Sequence, residues 1–232
     1  KNLEQLSINS KNIGCRSFNP CTTLKKVIIG KNVEKCDELI FWGCNNLSDL
    51  TILTEIADIS NRTLNAGKSL KEIKVNEDNR KYMVENGVLF SKDGTKLYAY
   101  PMGKTEDTYV FPSTLKEIGS RAFASCSNLK KIEIPQSIEK VEGAAFSDCL
   151  GLVRINVNTS EIGALCFFDC VNLNDVTIGK NVEKIGSSAF SASNNISTFT
   201  YLGTMDEWNN IVTKSNLWKN GNSSITKIIC SD

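Results

Sequence analysis

The sequence predicts a repeat solenoid: a right-handed superhelix with a parallel inner β-sheet, one β-hairpin insertion and a short C-terminal helix, in about ten coils of about 23 residues each. Three observations predict it. An apolar position recurs at Leu6, Val27, Leu50, Ile73, Tyr109, Ile132, Ile155, Val176 and Phe199, at steps of 21, 23, 23, 36, 23, 23, 21 and 23 residues. The segment IGKNVEK occurs twice, at 29–35 and 178–184. A period near 23 is too long for one helix or strand, so it describes a supersecondary unit that buries its apolar side only by stacking.

Each coil reads in three parts. Ile-x-Ile alternation, as at Ile132 and Ile134, is a short strand with one buried face. Pro112, Pro135, Gly30, Gly179 or Asn158 then ends the strand. A returning arm follows, with an apolar residue, Ala-Phe, Cys and Leu turned inward. The Phe slot holds Phe18, Phe41, Phe123, Phe146, Phe167 and Phe190, with Leu64 in one copy, and predicts a packed aromatic spine. A further copy of the strand, Ile225 to Cys230, matches Leu129 to Ile134.

The step of 36 marks an insertion. Within 76–105, the runs 87–90 and 96–99 alternate as strands around Asp93-Gly94, which predicts a β-hairpin that elaborates one coil. At 203–232, Thr204-Met-Asp-Glu207 is a capping box, followed by Met205, Trp208, Ile211 and Val212 on one helical face. A helix there replaces a return arm, with Trp208 as a core anchor, and a last strand follows. The expected domain is single and spans 1–232.

Composition narrows the chemistry. Lys plus Arg is 27 and Asp plus Glu 26, a net charge of +1 that offers no field for nucleic acid. No apolar run is long enough for membrane insertion as a helix. Histidine is absent, which removes His-based triads and His-containing zinc sites. Cysteine numbers nine, too odd a count for complete pairing within the chain. Cys21, Cys44, Cys126, Cys149 and Cys170 share one column with Gly67 and Ser193. Cys36, Cys166 and Cys230 fall in other apolar columns, so eight cysteines read as small core residues. Cys15 falls outside the core columns and is either an exposed thiol or a partner of Cys36. Asp148 and Asp169 occupy equivalent slots and read as solvated turn residues. No catalytic residue, metal ligand or cofactor is expected.

A solenoid usually binds through the outward positions of its inner strands. The candidates are Lys131, Glu133, Arg154, Asn156, Asp175 and Thr177, with Lys26, Asp49 and Lys74 in earlier coils. Mixed charge and few aromatics suit a protein partner of modest affinity, or none.

The pattern Leu-x2-Ile-x-Ile-Pro-x2-Ile-x2-Ile-Gly-x2-Ala-Phe-x2-Cys-x2-Leu resembles the BspA-like leucine-rich repeat, most closely along 120–149. The stretches 85–101 and 201–232 also resemble segments recurrent in that family, and the likeness weakens at 48–70, where Thr63, Leu64 and Gly67 replace Ala, Phe and Cys. The resemblance implies a leucine-rich-repeat-like solenoid on a cell-surface or secreted bacterial protein, which adheres to a host or matrix protein without catalysis. A structural spacer and a glycan-binding module are the alternatives. Because no capping coil precedes Leu3, residues upstream of Lys1 are expected, with weak self-association or fraying at the N-terminal coil.

Overall fold

Alternation makes each inner strand one-sided. Over Lys131–Ile134, Ile132 and Ile134 are buried while Lys131 and Glu133 face solvent. A strand with one apolar face cannot stand alone, and its neighbours one period away supply both the missing hydrogen bonds and the missing contact surface. The computed structural model describes residues 3–56, 59, 61–64, 67–196, 198–214, 217–222 and 224–231. They form two compact units, Lys1–Lys104 and Thr105–Asp232.

The first unit runs β1 (Gln5–Ile8), β2 (Asn12–Ile13), β3 (Lys26–Ile29), β4 (Lys35–Cys36), β5 (Asp49–Ile52), α1 (Asn61–Leu64), β6 (Ile73–Val75), β7 (Tyr82–Glu85), β8 (Val88–Ser91) and β9 (Lys96–Ala99). Strands β1, β3, β5 and β6 form a parallel sheet in which Leu6, Val27, Leu50 and Ile73 stand in register. Strands β2 and β4 pair in parallel on the returning side. The insertion corrects the expected hairpin: β7, β8 and β9 make a three-stranded antiparallel meander. Its first turn is Asn86-Gly87, with φ of 50° and 77°, the two positive values that a tight two-residue hairpin turn needs. Tyr82 fixes β7 to the stack through a hydrogen bond from its hydroxyl to the Ile56 carbonyl. At the second turn, Asp93 accepts from the Ser91 hydroxyl and from the Thr95 amide and hydroxyl, which holds its carboxyl down at about 2.

The second unit runs β10 (Thr108–Tyr109), β11 (Glu117–Ile118), β12 (Lys131–Ile134), β13 (Lys140–Val141), β14 (Arg154–Val157), β15 (Glu161–Ile162), β16 (Asp175–Ile178), β17 (Lys184–Ile185), β18 (Thr198–Tyr201), α2 (Met205–Lys214) and β19 (Lys227–Ile229). Strands β10, β12, β14, β16, β18 and β19 form a parallel sheet, with Tyr109, Ile132, Ile155, Val176, Phe199 and Ile228 in one row. The short strands β11, β13, β15 and β17 pair in parallel opposite it. Within 203–232, apart from residues 215, 216, 223 and 232, which lie outside the described residues, α2 carries the expected capping box. The Thr204 amide donates to Glu207 at 2.8 Å and the Glu207 amide to the Thr204 hydroxyl at 3.2 Å. Trp208, 4% exposed, packs at 5.3–5.4 Å on Phe199, Tyr201 and Trp218. The architecture is a parallel-strand solenoid, but the count of ten coils is corrected. Four inner strands enclose three turns in the first unit and six enclose five in the second, about eight in all. The expectation counted strands, and a stack has one turn fewer than its strands.

The return arm has a backbone signature that the sequence reading did not contain. The residue two before each Phe has positive φ: Arg16 (53°), Leu39 (58°), Arg121 (57°), Ala144 (56°), Leu165 (57°) and Ser188 (55°). So does the residue two after: Gly43 (82°), Ser125 (62°), Asp148 (59°), Asp169 (54°) and Ala192 (62°). Left-handed backbone costs a non-glycine residue about 1–2 kcal/mol. The cost is offset because these turns aim alternate amides at the next coil. Ala144, Phe146 and Asp148 donate to the carbonyls of Ala164, Cys166 and Phe168 at 2.8–2.9 Å. Asp148 and Asp169 are thus turn residues that tolerate this conformation. Pro20 holds the same position in the first arm, where its ring forbids positive φ.

Between these turns the Phe side chains stack. Phe123, Phe146, Phe167 and Phe190 lie 4.8, 5.3 and 5.4 Å apart and within 14° of parallel, and Phe18 and Phe41 stack at 5.6 Å in the first unit. Leu64 is buried too, at 1% exposure, but the Phe41 amide donates to its carbonyl as other spine Phe amides do to the residue before the next Phe, so its expected place in the Phe slot is corrected by one residue. Thr159 is a misfit: it sits among apolar residues, fully buried, and its hydroxyl has no hydrogen-bond partner.

Two stability changes follow. Phe146→Ala removes a ring packed between two others and should cost about 3–5 kcal/mol in denaturant unfolding. A loss below about 1 kcal/mol would contradict the buried register. Thr159→Val should stabilise the protein by about 1 kcal/mol, because it removes an unsatisfied buried hydroxyl while keeping the shape. Destabilisation in the same titration would show that the hydroxyl is paired.

Candidate functional site

Register delivers the six candidate side chains to one face. Lys131, Arg154 and Asp175 form one row across β12, β14 and β16, and Glu133, Asn156 and Thr177 form the next. Arg154 Nε donates to Asp175 Oδ2 at 2.6 Å. The first unit repeats this pattern, with the Asp49 carboxylate 3.5 Å from both Lys26 Nζ and Lys74 Nζ. Bonding to Glu72 and the nearby Asp49 charge raise the Lys74 ammonium's pKa. Such exposed pairs add little stability, but they do satisfy the charges of the face. Lys131 and Glu133 have no charged partner among the described residues, and the one cation on the strand next to Glu133, Arg154, pairs with Asp175 instead.

These two side chains, with Asn156, line a groove of about 630 Å³ in the second unit. Arg154, Asp175 and Thr177 lie outside it. The groove follows β12 to Pro135 and Gln136 and then turns across Asn158 and Gly179 to Leu202. Its walls include Val110, 87% exposed, and Leu202, 49% exposed. It includes Gly179, where any Cβ would collide with the Asn158 side chain. Asn158 is itself held by a 3.0 Å bond from Asn181 Nδ2. The same glycine–asparagine contact joins Gly30 and Asn9 in the first unit, which gives the two copies of IGKNVEK their Gly. The sequence reading missed Val110 and Leu202. It also missed Trp42, 46% exposed, with the Arg16 guanidinium 5.1 Å from its ring centre. Among the described residues, no group of three or more Cys, Asp or Glu side chains comes together as a metal site. No helix of these residues is long and apolar enough to cross a membrane.

All nine cysteines are free thiols, and their column does more than fill space. Cys44, Cys149 and Cys170 donate their S–H to the carbonyls of Phe18, Phe123 and Phe146 in the preceding coil, at 3.1–3.2 Å. Ser193 does the same to Phe167 at 2.7 Å, and the Asn222 amide to Phe190 at 3.0 Å. The reading of these cysteines as merely small and apolar is corrected: the slot holds compact hydrogen-bond donors. Burial pushes up the Cys126, Cys149 and Cys166 thiols, and hydrogen bonding with Cys149 together with burial does so for Cys170. Cys36 is half-buried beside Asp37 and pushed up to about 11 by burial and that charge. Cys21 and Cys230 are also half-buried, which corrects their placement in the core, and Cys15 is exposed.

The profile of the BspA type leucine rich repeat region matches residues 1–89 and 98–217, in six copies. The chain belongs to the BspA-type leucine-rich repeat family. This family consists of repeat proteins and is non-enzymatic. The BspA-type chain is similar in fold to the pneumococcal vaccine antigen PcpA, at 24% identity and TM-score 0.63 over 88% of this chain. It spans only 55% of that antigen's chain. It is similar also to a leucine-rich repeat protein of Eubacterium ventriosum, at 19% identity and TM-score 0.57 over 97% of this chain and 84% of the other. A leucine rich cell surface protein of Faecalibacterium prausnitzii matches at 19% identity and TM-score 0.54, over 89% of this chain and 80% of its own. No curated protein matches the sequence.

The burial pattern orders thiol reactivity. In native protein, alkylation should reach Cys15 first and Cys21, Cys36 and Cys230 more slowly. Cys44, Cys126, Cys149, Cys166 and Cys170 should react only on unfolding. Time-resolved mass spectrometry checks this, and native labelling of Cys149 as fast as Cys15 would contradict the donor column.

Proposed function

We propose that this chain is a non-enzymatic protein-binding module of a cell-surface or secreted bacterial protein, engaging a host or matrix protein through the groove on the second unit. The observation that carries the reading is the combination, in one groove, of exposed Val110 and Leu202 with the free charges of Lys131 and Glu133. Apolar side chains held in the open beside unpaired charges are the composition of an interface, with an apolar centre and a polar rim. A spacer needs neither. A glycan site favours open aromatic platforms, and this groove presents no exposed Trp. The surface location rests on the family and on the surface-protein neighbour.

Binding to a panel of purified extracellular-matrix and host cell-surface proteins, read by surface plasmon resonance, tests this. Val110→Asp and Leu202→Asp should each weaken the captured partner at least tenfold while circular dichroism stays unchanged. Binding that survives both substitutions would place the interface elsewhere. Binding only on a glycan array would favour the glycan-binding alternative, and no binding at all would favour the spacer.

A further inference from the structure

The groove's floor has a polarity that sets the chemistry of its occupant. Lys131 and Glu133 project from the same face of β12, two residues and about 6.6 Å apart. Two residues further along lies Pro135, and Val110, which continues the register opposite Glu133, stands on the diagonal from it. From Lys131 to Gln136 the groove floor is about 16 Å long at extended spacing. A helix of ~11 Å diameter over that length fills roughly 1,600 Å³, and even half of it exceeds the 630 Å³ present. A single extended chain fits, and its alternate side chains have the same spacing as those of β12.

On that basis, and resting on the protein-binding reading above, we infer that the groove takes an extended segment of about six residues from a partner protein, with an acidic residue, a basic residue and an apolar residue at alternate positions. The acid faces Lys131, the base faces Glu133, and the apolar side chain rests on Pro135 and Val110. Charge complementarity selects this occupant. Arg154 is engaged by Asp175 at 2.6 Å and does not compete for the acid, while Glu133 has no cation of its own. Either uniform charge on the partner would leave one of the two groove charges facing its like, which costs affinity and so excludes it. The pairing gives specificity, and the apolar side chain on Pro135 and Val110 gives most of the affinity.

The experiment is selection from a random displayed heptapeptide library on the whole chain, followed by fluorescence polarisation of the enriched peptides. The wild type should enrich acid-x-base-x-apolar, in either chain direction. The doubly swapped variant K131E/E133K should bind those peptides at least tenfold more weakly and enrich base-x-acid-x-apolar instead. Both side chains are exposed, so the swap leaves the fold intact, and circular dichroism confirms it. Enriched peptides that ignore the swap but are lost with Val110→Asp would overturn the charge pattern and leave the protein-binding reading standing. Enrichment of no peptide, with a panel protein still captured through Val110 and Leu202, would overturn the extended-segment occupant alone. Failure of peptides and panel proteins together would overturn both.

Discussion

Each coil must close the hydrogen bonds of the coil before it, and most of this structure is a consequence. A carbonyl has two lone pairs, and those of Phe18, Phe41, Phe123 and Phe190 each accept the amide three residues on in their own coil. At Phe18, Phe123, Phe146, Phe167 and Phe190 the neighbouring coil adds a further donor through one compact side chain. A thiol at Cys44, Cys149 and Cys170, a hydroxyl at Ser193 and an amide at Asn222 are different chemical answers to that one demand. The left-handed residues on either side of Phe belong to the same constraint, since they turn alternate amides across the coil boundary. Once coils are locked one period apart, the rings have no choice but to stack face to face at 4.8–5.4 Å.

The lock also composes the surface. Residues one period apart become neighbours, so exposed charges meet across strands that are distant in sequence, as Arg154 meets Asp175 and Asp49 meets two lysines. Where that pairing leaves a residue over, it is left on the face. Lys131 and Glu133 are such remainders, and they border the groove in which Val110 and Leu202 lie open. Gly179, whose missing side chain is enforced by Asn158, is part of the same groove.

The periodic part of this arrangement was legible in the sequence. Every inner-strand position from Leu6 to Ile73 and from Tyr109 to Ile228 pairs with its expected counterpart, because one apolar residue per coil must meet its equivalent. The meander's first strand, Tyr82–Glu85, goes beyond the expected hairpin although Asn86-Gly87 is a strong two-residue turn signal, because a second such signal follows at Asp93-Gly94 and one hairpin satisfies only one of them. The donor role of the cysteines was hidden because Cys and Ala look alike in a column of small residues, and only Ser193 in that column hinted at hydrogen bonding. The six face residues could be placed, since alternation fixes which side they take. The groove could not be: Gly179 and Leu202 share the column of Pro135 and Asn158, and Val110 that of Glu133, but the spacing does not tell which side chains of those columns stay as open as Val110 and Leu202 do.

Stability and the proposed recognition therefore rest on separate sets of residues. Exposed ion pairs contribute about 0–1 kcal/mol each, whereas a buried spine Phe contributes several. Changing Lys131 or Glu133 costs the fold almost nothing, while changing Phe146 or Cys149 disturbs two coils at once. In such a protein the face can be rewritten without rebuilding the stack. What the face binds must accordingly be read from the few side chains that the stacking leaves unpaired, not from the fold that displays them.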